Sequence, residues 1–274
     1  SRNQVKFIIN MSIFLYPIYW WLIMAIIMSG LWLYQQRSND AGIADVGWAY
    51  GLAGAAIYYS IMETGNTSRQ ILLSLLASIW GIRLGTYLLI DRVIKAKEED
   101  GRYQNLRRHF GKNSGKSFFI FFQGQAFFIL IFSIPFFIAT TNPSPGLEMW
   151  DFLAIAIWFT SIIGECIADK QLANFRSKEL SKSTVCKKGL WKYSRHPNYF
   201  FEWLHWWSYV ALSVGTPLWW ISLTGPVFMW YCLWKVTGIP YTEAQALKSR
   251  GEAYRSYQKT TSPFFPWFPK ESTQ

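Results

Sequence analysis

Apolar stretches close to bilayer-spanning length recur seven times along this 274-residue chain, at about 7–32, 42–62, 70–91, 117–140, 150–169, 198–213 and 216–238. A helix needs roughly 20 such residues to cross a hydrocarbon core about 30 Å thick. Inside that core only helices and closed barrels satisfy their own backbone groups. The lengths are those of helices. The expected fold is therefore all-α, a single transmembrane domain over residues 1–274 with about seven transmembrane helices. The sixth stretch is short for a full span, and the Gly215-Thr216-Pro217 turn makes 198–238 a tight helical hairpin. The first stretch is too long for a signal-peptide core and lacks a small-x-small cleavage site, so it reads as a retained span.

Charge orients the helices. Segments 92–116 and 170–195 hold eight Lys/Arg each and the tail 235–270 holds six, whereas loops 141–149 and 213–217 hold none. By the positive-inside rule the basic regions are cytoplasmic, which puts the N-terminus outside and the C-terminus in the cytoplasm. The net charge of +11 fits anionic headgroups and an anionic cofactor. No nucleic-acid motif accompanies it, so no nucleic-acid partner is expected. Cys166, Cys186 and Cys232 show no CxxC spacing, and neither a disulfide frame nor a zinc site is indicated.

Ionisable residues within a membrane are costly and mark function more often than packing. Here they share a depth. Asp45 opens the second span, Arg83, Tyr87 and Asp91 close the third, and Gln123 and Gln125 open the fourth. Glu165 and Asp169 close the fifth, and Asn198, Glu202 and His205 open the sixth. Glu63 sits at the outer end of the second span, as a rim residue. One polar cavity open to the cytoplasm is expected, built from 83–110, 165–205 and 240–260. Arg83 shares a face with Tyr87 at i,i+4, and its buried guanidinium calls for an anion, for which Asp45 or a bound phosphate is a candidate. Glu202 and His205 stand at i,i+3, yet no second carboxylate–histidine pair exists, and no metal is expected.

The stretch GLWKYSRHPNYFFE (189–202) carries the strongest anion signal. Pro197 suits the first turn of a helix, whose N-terminus would lie beside Lys192, Arg195 and His196 and ahead of Asn198, Tyr199 and Glu202. Around it, Asp91-Arg92 marks a span boundary, and Arg102-Tyr103 follows an Asp-Gly turn with a donor fork beside a ring. Asp169, Leu172 and Arg176 share one helical face. A charged helix within 243–266 would present Arg250, Tyr254 and Tyr257 to one surface. No GxGxxG or GxxxxGK[ST] loop is present, so a nucleotide site here is of neither Rossmann nor P-loop type.

The ordered set ADVGWAYG, WGIRLGTYLL, EDGRYQNLRRHFG, SRHPNYFFEW and SRGEAYRSYQKTTSPFFPWFPK, spread over about 39–270, resembles the bacterial membrane proteins grouped with the steroid 5-alpha-reductase C-terminal family. The resemblance implies a seven-helix protein of the bacterial plasma membrane that binds NADPH from the cytoplasmic side. It also implies reduction of a carbon–carbon double bond conjugated to a carbonyl in a steroid-like or isoprenoid lipid. By position, the family's diphosphate and adenosine contacts fall on Asp169, Arg176, Asn198 and Glu202, and the arginine of its third span falls on Arg83. The family's Gln-Glu pair is missing, with Asp45 as its stand-in, and the paired tyrosine falls on Trp80. Tyr87 is then the expected proton donor, with Asp45 and Arg83 as catalytic partners. Asp91, Arg92, Arg102, Tyr103, Arg195, His196, Tyr199 and Tyr254 complete the expected cofactor contacts.

The RHPxY…E element also resembles isoprenylcysteine carboxyl methyltransferases and phospholipid methyltransferases, which implies S-adenosylmethionine as the alternative cofactor and a prenyl or phospholipid substrate. Thr242-Glu243 sits where those enzymes often carry a Glu pair, of which this chain has one. A third class, a lipid-binding scaffold, would leave the buried charges without a ligand.

Overall fold

The computed structural model describes residues 15–62, 67–96, 98–177, 184–236 and 238–270. The start of the first apolar stretch and Glu63 lie outside them. The architecture is all-α, with no strand among the described residues. The helices are α1 (Tyr16–Ser38), α2 (Ile43–Met62), α3 (Thr67–Leu88), α4 (Gly101–Phe110), α5 (Ser114–Thr140), α6 (Met149–Arg176), α7 (Pro197–Ser213), α8 (Thr224–Tyr231), α9 (Ile239–Arg250) and α10 (Glu252–Thr260). Four stretches among the described residues are long and apolar enough to cross a membrane: Tyr16–Ser38, Thr67–Ile94, Gly101–Thr140 and Met149–Arg176. Ile26, Ile61 and Ile120 on these and neighbouring helices are more than 70% exposed, a surface suited to lipid and costly in water.

Local chemistry sets the boundaries. Asn39 ends α1 in the left-handed conformation (φ 54°), its N–H donating to the Gln35 carbonyl, the usual use of a short amide side chain there. Asp100 caps α4 by accepting from the Arg102 N–H at 2.9 Å. Pro197 opens α7 as expected. The last apolar stretch does not form one helix: it breaks into a 3₁₀ turn at Trp219–Leu223, the short α8 and a π-helical turn at Cys232–Val236. A second π-helical turn, Leu89–Ile94, extends α3.

The chain forms two compact units. The first runs through Glu148 and takes in Leu212–Thr224. In it α2 packs on α3, and α5 packs on α1 and α2. Small residues allow the approach: a Cβ on Gly81 would lie 2.8 Å from the Ala49 carbonyl oxygen, the close helix contact that membrane bundles favour. Tyr59, fully buried, bonds Ser133 Oγ at 2.9 Å.

The second unit comprises Met149–Ala211 and the chain from Gly225 onward. Its C-terminal segment is stitched onto the turn before α7: Arg195 N donates to the Ser262 carbonyl (2.8 Å), Ser194 Oγ to Phe264 (2.8 Å), and Trp267 N to Tyr193 (2.9 Å). Phe264 is thereby a core plug, fully buried among Phe200, Trp203 and Trp234. Trp267 and Phe268 stay exposed.

Candidate functional site

Each unit gathers its own polar cluster. In the first, Asp45 stands in the first turn of α2 and spends both oxygens. Oδ2 accepts from Arg92 Nη1 at 2.7 Å and Arg102 Nη2 at 2.9 Å, and Oδ1 accepts the Tyr103 hydroxyl at 2.7 Å. Asp100 holds the same arginines from the other side, accepting from Arg102 Nε at 3.2 Å with Arg92 Nε 3.8 Å away. Glu99 adds a bidentate pair to Arg107 and accepts from the Ala41 N–H. Two aspartates thus face two arginines, and the charges balance.

In the second unit the hub is Glu243 on α9. Its Oε1 accepts from Arg195 Nε (2.7 Å), His196 Nε2 (3.2 Å) and the Tyr254 hydroxyl (3.4 Å), and its Oε2 from Gln258 Nε2 (2.7 Å). Burial alone would push this carboxyl up. The bonds from His196 and Arg195, the Arg195 charge and the Gln258 bond outweigh it and hold Glu243 down at about 2. Burial holds His196 below its ordinary 6.5, against the pull of Glu243. A neutral imidazole beside an ionised carboxylate must carry its proton on Nε2 to make the bond. Arg195 also donates through Nη1 to the carbonyls of Gln258 (3.0 Å) and Thr261 (2.7 Å). The Tyr257 hydroxyl donates to the Trp191 and Ser194 carbonyls.

Beside this hub opens a cavity of about 80 Å³. At roughly 10–15 Å³ for each water-sized sphere, that admits a phosphate or one heteroaromatic ring, not a whole dinucleotide. Arg176, Arg195 and Arg250 line it, together with His196 and the rings of Trp191 and Tyr254. No carboxylate is among its described lining residues.

Residues 31–261 match the model of a family described as a protein of unknown function, DUF1295. The chain belongs to the DUF1295 family. No curated protein and no solved structure matches it.

Of the residues singled out in this DUF1295 sequence, the second unit's cavity collects Arg176, Arg195, His196 and Tyr254. The RHPNY motif ties into the same unit: Asn198 Nδ2 donates to Asp169 at 3.2 Å, Tyr199 donates to Thr242 Oγ1 at 3.0 Å, and His196 stacks on Tyr199 at 5.3 Å. Glu202 lies one turn on, 3.8 Å from His205 Nδ1. His205 is buried, and its Nδ1 lies 2.6 Å from the Glu202 carbonyl, a packed histidine. The first unit's node collects Asp45, Arg92, Arg102 and Tyr103. The guanidinium partners of Asp45 are Arg92 and Arg102 in place of Arg83, and the tyrosine it holds is Tyr103 in place of Tyr87. Arg83 is half-buried on α3, Tyr87 is 60% exposed on the same helix, and Asp91 is exposed. Trp80 is core, edge-on to Trp48.

Arg250, Tyr254 and Tyr257 do converge, all three lining the cavity. They do so across a break and not along one helix: Gly251, at φ 50°, ends α9 and starts α10. Glu243 and Trp191 were not among the expected cofactor contacts. The signal for Glu243 was a carboxylate between two motifs that hold three donors for it, Arg195, His196 and Gln258.

Proposed function

We propose that this DUF1295 protein is a membrane-embedded, NADPH-dependent reductase of a carbon–carbon double bond conjugated to a carbonyl in a steroid-like or isoprenoid lipid. The charge of the second unit's cavity carries the reading. Arg176, Arg195 and Arg250 line the cavity beside His196, with no carboxylate among its described lining residues, so the cavity wall is basic. A phosphate-bearing nucleotide complements such a wall. S-adenosylmethionine brings a sulfonium cation, which the same wall repels, and Glu243 is already engaged by four donors. The family's association with steroid 5-alpha-reductase-like proteins supports the same reading.

The residues suit the group by chemistry and size: Arg176 and Arg250 for phosphate, Trp191 and Tyr254 for a flat ring, with room for one end of the cofactor. When bound, NADPH supplies the hydride. By the family resemblance, Arg83 and Tyr87 serve the lipid carbonyl, the Tyr87 O–H donating to the oxygen on which negative charge develops. Asp45 is a positioning residue, fixing Arg92, Arg102 and Tyr103.

The test uses the full chain purified in detergent. NADPH is expected to raise its melting temperature and S-adenosylmethionine is not. Tyr87→Phe is expected to slow enone-dependent NADPH oxidation by about 10²-fold or more while NADPH still stabilises the protein. Stabilisation by S-adenosylmethionine and none by NADPH would overturn the reductase. Unchanged turnover in both Tyr87→Phe and Asp45→Asn would overturn the catalytic assignment alone.

A further inference from the structure

The segment Phe265-Pro266-Trp267-Phe268 leaves large rings on the surface of the second unit: Phe265 is 50% exposed, Trp267 71% and Phe268 76%. They do not hang on a loose end. Trp267 N donates to the Tyr193 carbonyl at 2.9 Å, and Lys270 N donates to the Thr260 carbonyl at 2.8 Å. The Phe268 ring stands edge-on to Tyr193 with centroids 6.0 Å apart, and Phe265 packs edge-on to Phe200 and Trp203. Aromatic surface fixed in this way is costly in water and marks a place that something covers.

The turn that holds these rings hangs from the end of a spanning helix. Trp191 Nε1 donates to the Ala168 carbonyl at 2.9 Å, and Leu190 N donates to Gln171 Oε1 at 2.9 Å. Both acceptors lie near the C-terminal end of α6, which is long and apolar enough to cross a membrane. That end marks the boundary between hydrocarbon and water, the level at which tryptophan rings concentrate.

Charge narrows the choice of what covers them. Lys192 holds its Nζ 5.7 Å from the Tyr193 ring, Lys270 closes the segment, and both are exposed. Lys187, Lys188 and Lys259 are exposed on the same two stretches, and no Asp or Glu occurs within 184–196 or 256–270. A second copy of the chain would bring the same positive charge to the same surface and be repelled. Anionic headgroups are attracted to it.

We infer that Tyr193, Trp267 and Phe268, with Lys192 and Lys270, form an interfacial seat for anionic phospholipid. The rings lie in the headgroup layer and the two ammonium groups meet lipid phosphates. The seat is independent of what the cavity binds. It does brace the cavity wall, because the same segment bonds to Tyr193, Ser194 and Arg195, and Arg195 reaches from that turn to Glu243.

The experiment reads the Trp267 side chain. The full chain, labelled with fluorotryptophan, is placed in phosphatidylcholine nanodiscs with a trace of lipid spin-labelled high on its acyl chain. The labelled lipid is phosphatidylglycerol in one sample and phosphatidylcholine in the other. The Trp267 fluorine resonance is the one that disappears in Trp267→Phe. It is expected to broaden with both lipids, and roughly fivefold more with phosphatidylglycerol, the worth of one lysine beside an anionic surface. In the double variant Lys192→Gln, Lys270→Gln the ratio is expected to fall close to one while the resonance stays broadened, since the rings keep their place. A resonance that neither label reaches, as water or a second copy over the rings would leave it, overturns the proposal. So does equal broadening by the two lipids in the wild type. A preference that survives in the double variant overturns it as well.

Discussion

The Asp45 cluster and the Glu243 cluster each bind a carboxylate to arginine and tyrosine, and they differ in what surrounds that carboxylate. Around Asp45, two arginines face two aspartates, each arginine touched by both. Around Glu243, one carboxylate gathers Arg195, His196, Tyr254 and Gln258 beside a cavity that Arg176 and Arg250 also line. A balanced cluster is complete without a ligand and works as a clamp between the start of α2 and the segment 92–103. A cluster beside an arginine-lined cavity has room for an anion as well. Surface salt bridges seldom contribute much, and both clusters are partly solvated. The comparison therefore turns on how many buried donors each carboxylate holds.

Glu243 holds the more. Glu243→Ala leaves Arg195, His196 and Gln258 without their acceptor in the interior of the second unit, and breaking such a pair costs about 3 kcal/mol or more. A large fall in melting temperature is expected, with loss of NADPH stabilisation. Asp45→Ala is expected to cost less, about 1–3 kcal/mol, because Asp100 still holds both arginines and the chief loss is the acceptor of the buried Tyr103 hydroxyl. Thermal melts of the two variants side by side check the order. Equal losses would mean that the charge balance of a cluster does not set its structural weight.

Asp100→Ala sharpens the picture on the first unit's side. It removes the cap of α4, a loss of about 1 kcal/mol, and frees Arg92 and Arg102 from their second carboxylate. Asp45 then faces two arginines alone, so the node is left with one positive charge in excess. The melting temperature is expected to fall slightly while the node gains affinity for inorganic phosphate, measurable by calorimetry. An unchanged phosphate affinity would show that imbalance without a cavity recruits no anion.

Much of this was readable from the chain because it is local. Apolar runs of bilayer length became helices, Pro197 started α7, and Arg250, Tyr254 and Tyr257 met at one surface. The clusters themselves were not readable, since their bonds join residues far apart: Asp45 to Arg92 across 47 positions, Arg195 to Glu243 across 48. No periodicity encodes such pairs. A motif can nominate Arg195 for a phosphate, but only the fold shows that Glu243 and two carbonyls already hold it. The 216–238 stretch misled differently. Its hydropathy is that of a span, yet Gly215 precedes it and Pro217 and Pro226 lie within it, and the backbone resolves into three short helical types.

The smallest expected effect is the one mild acid should produce, and it belongs to the second unit. His196 has a folded value below its ordinary 6.5 because burial disfavours its charged form. Above 6.5 the ring is neutral whether the chain is folded or not, and it adds no pH dependence. Below 6.5 the unfolded chain takes up a proton that the folded one resists, so stability falls as pH falls. Glu243 behaves as a depressed carboxyl: its contribution is whole above its ordinary 4.5 and is lost as pH drops through about 2. Between pH 7 and 5 only the histidine acts, and a shallow fall in melting temperature is expected; a steeper one follows below 4.5. His196→Gln, whose amide can still donate to Glu243, should flatten the shallow arm and keep the steep one. A melting temperature that rises on going from pH 7 to 5 would show that Glu243 outweighs burial at His196, and the cavity wall would then gain an imidazolium charge in mild acid.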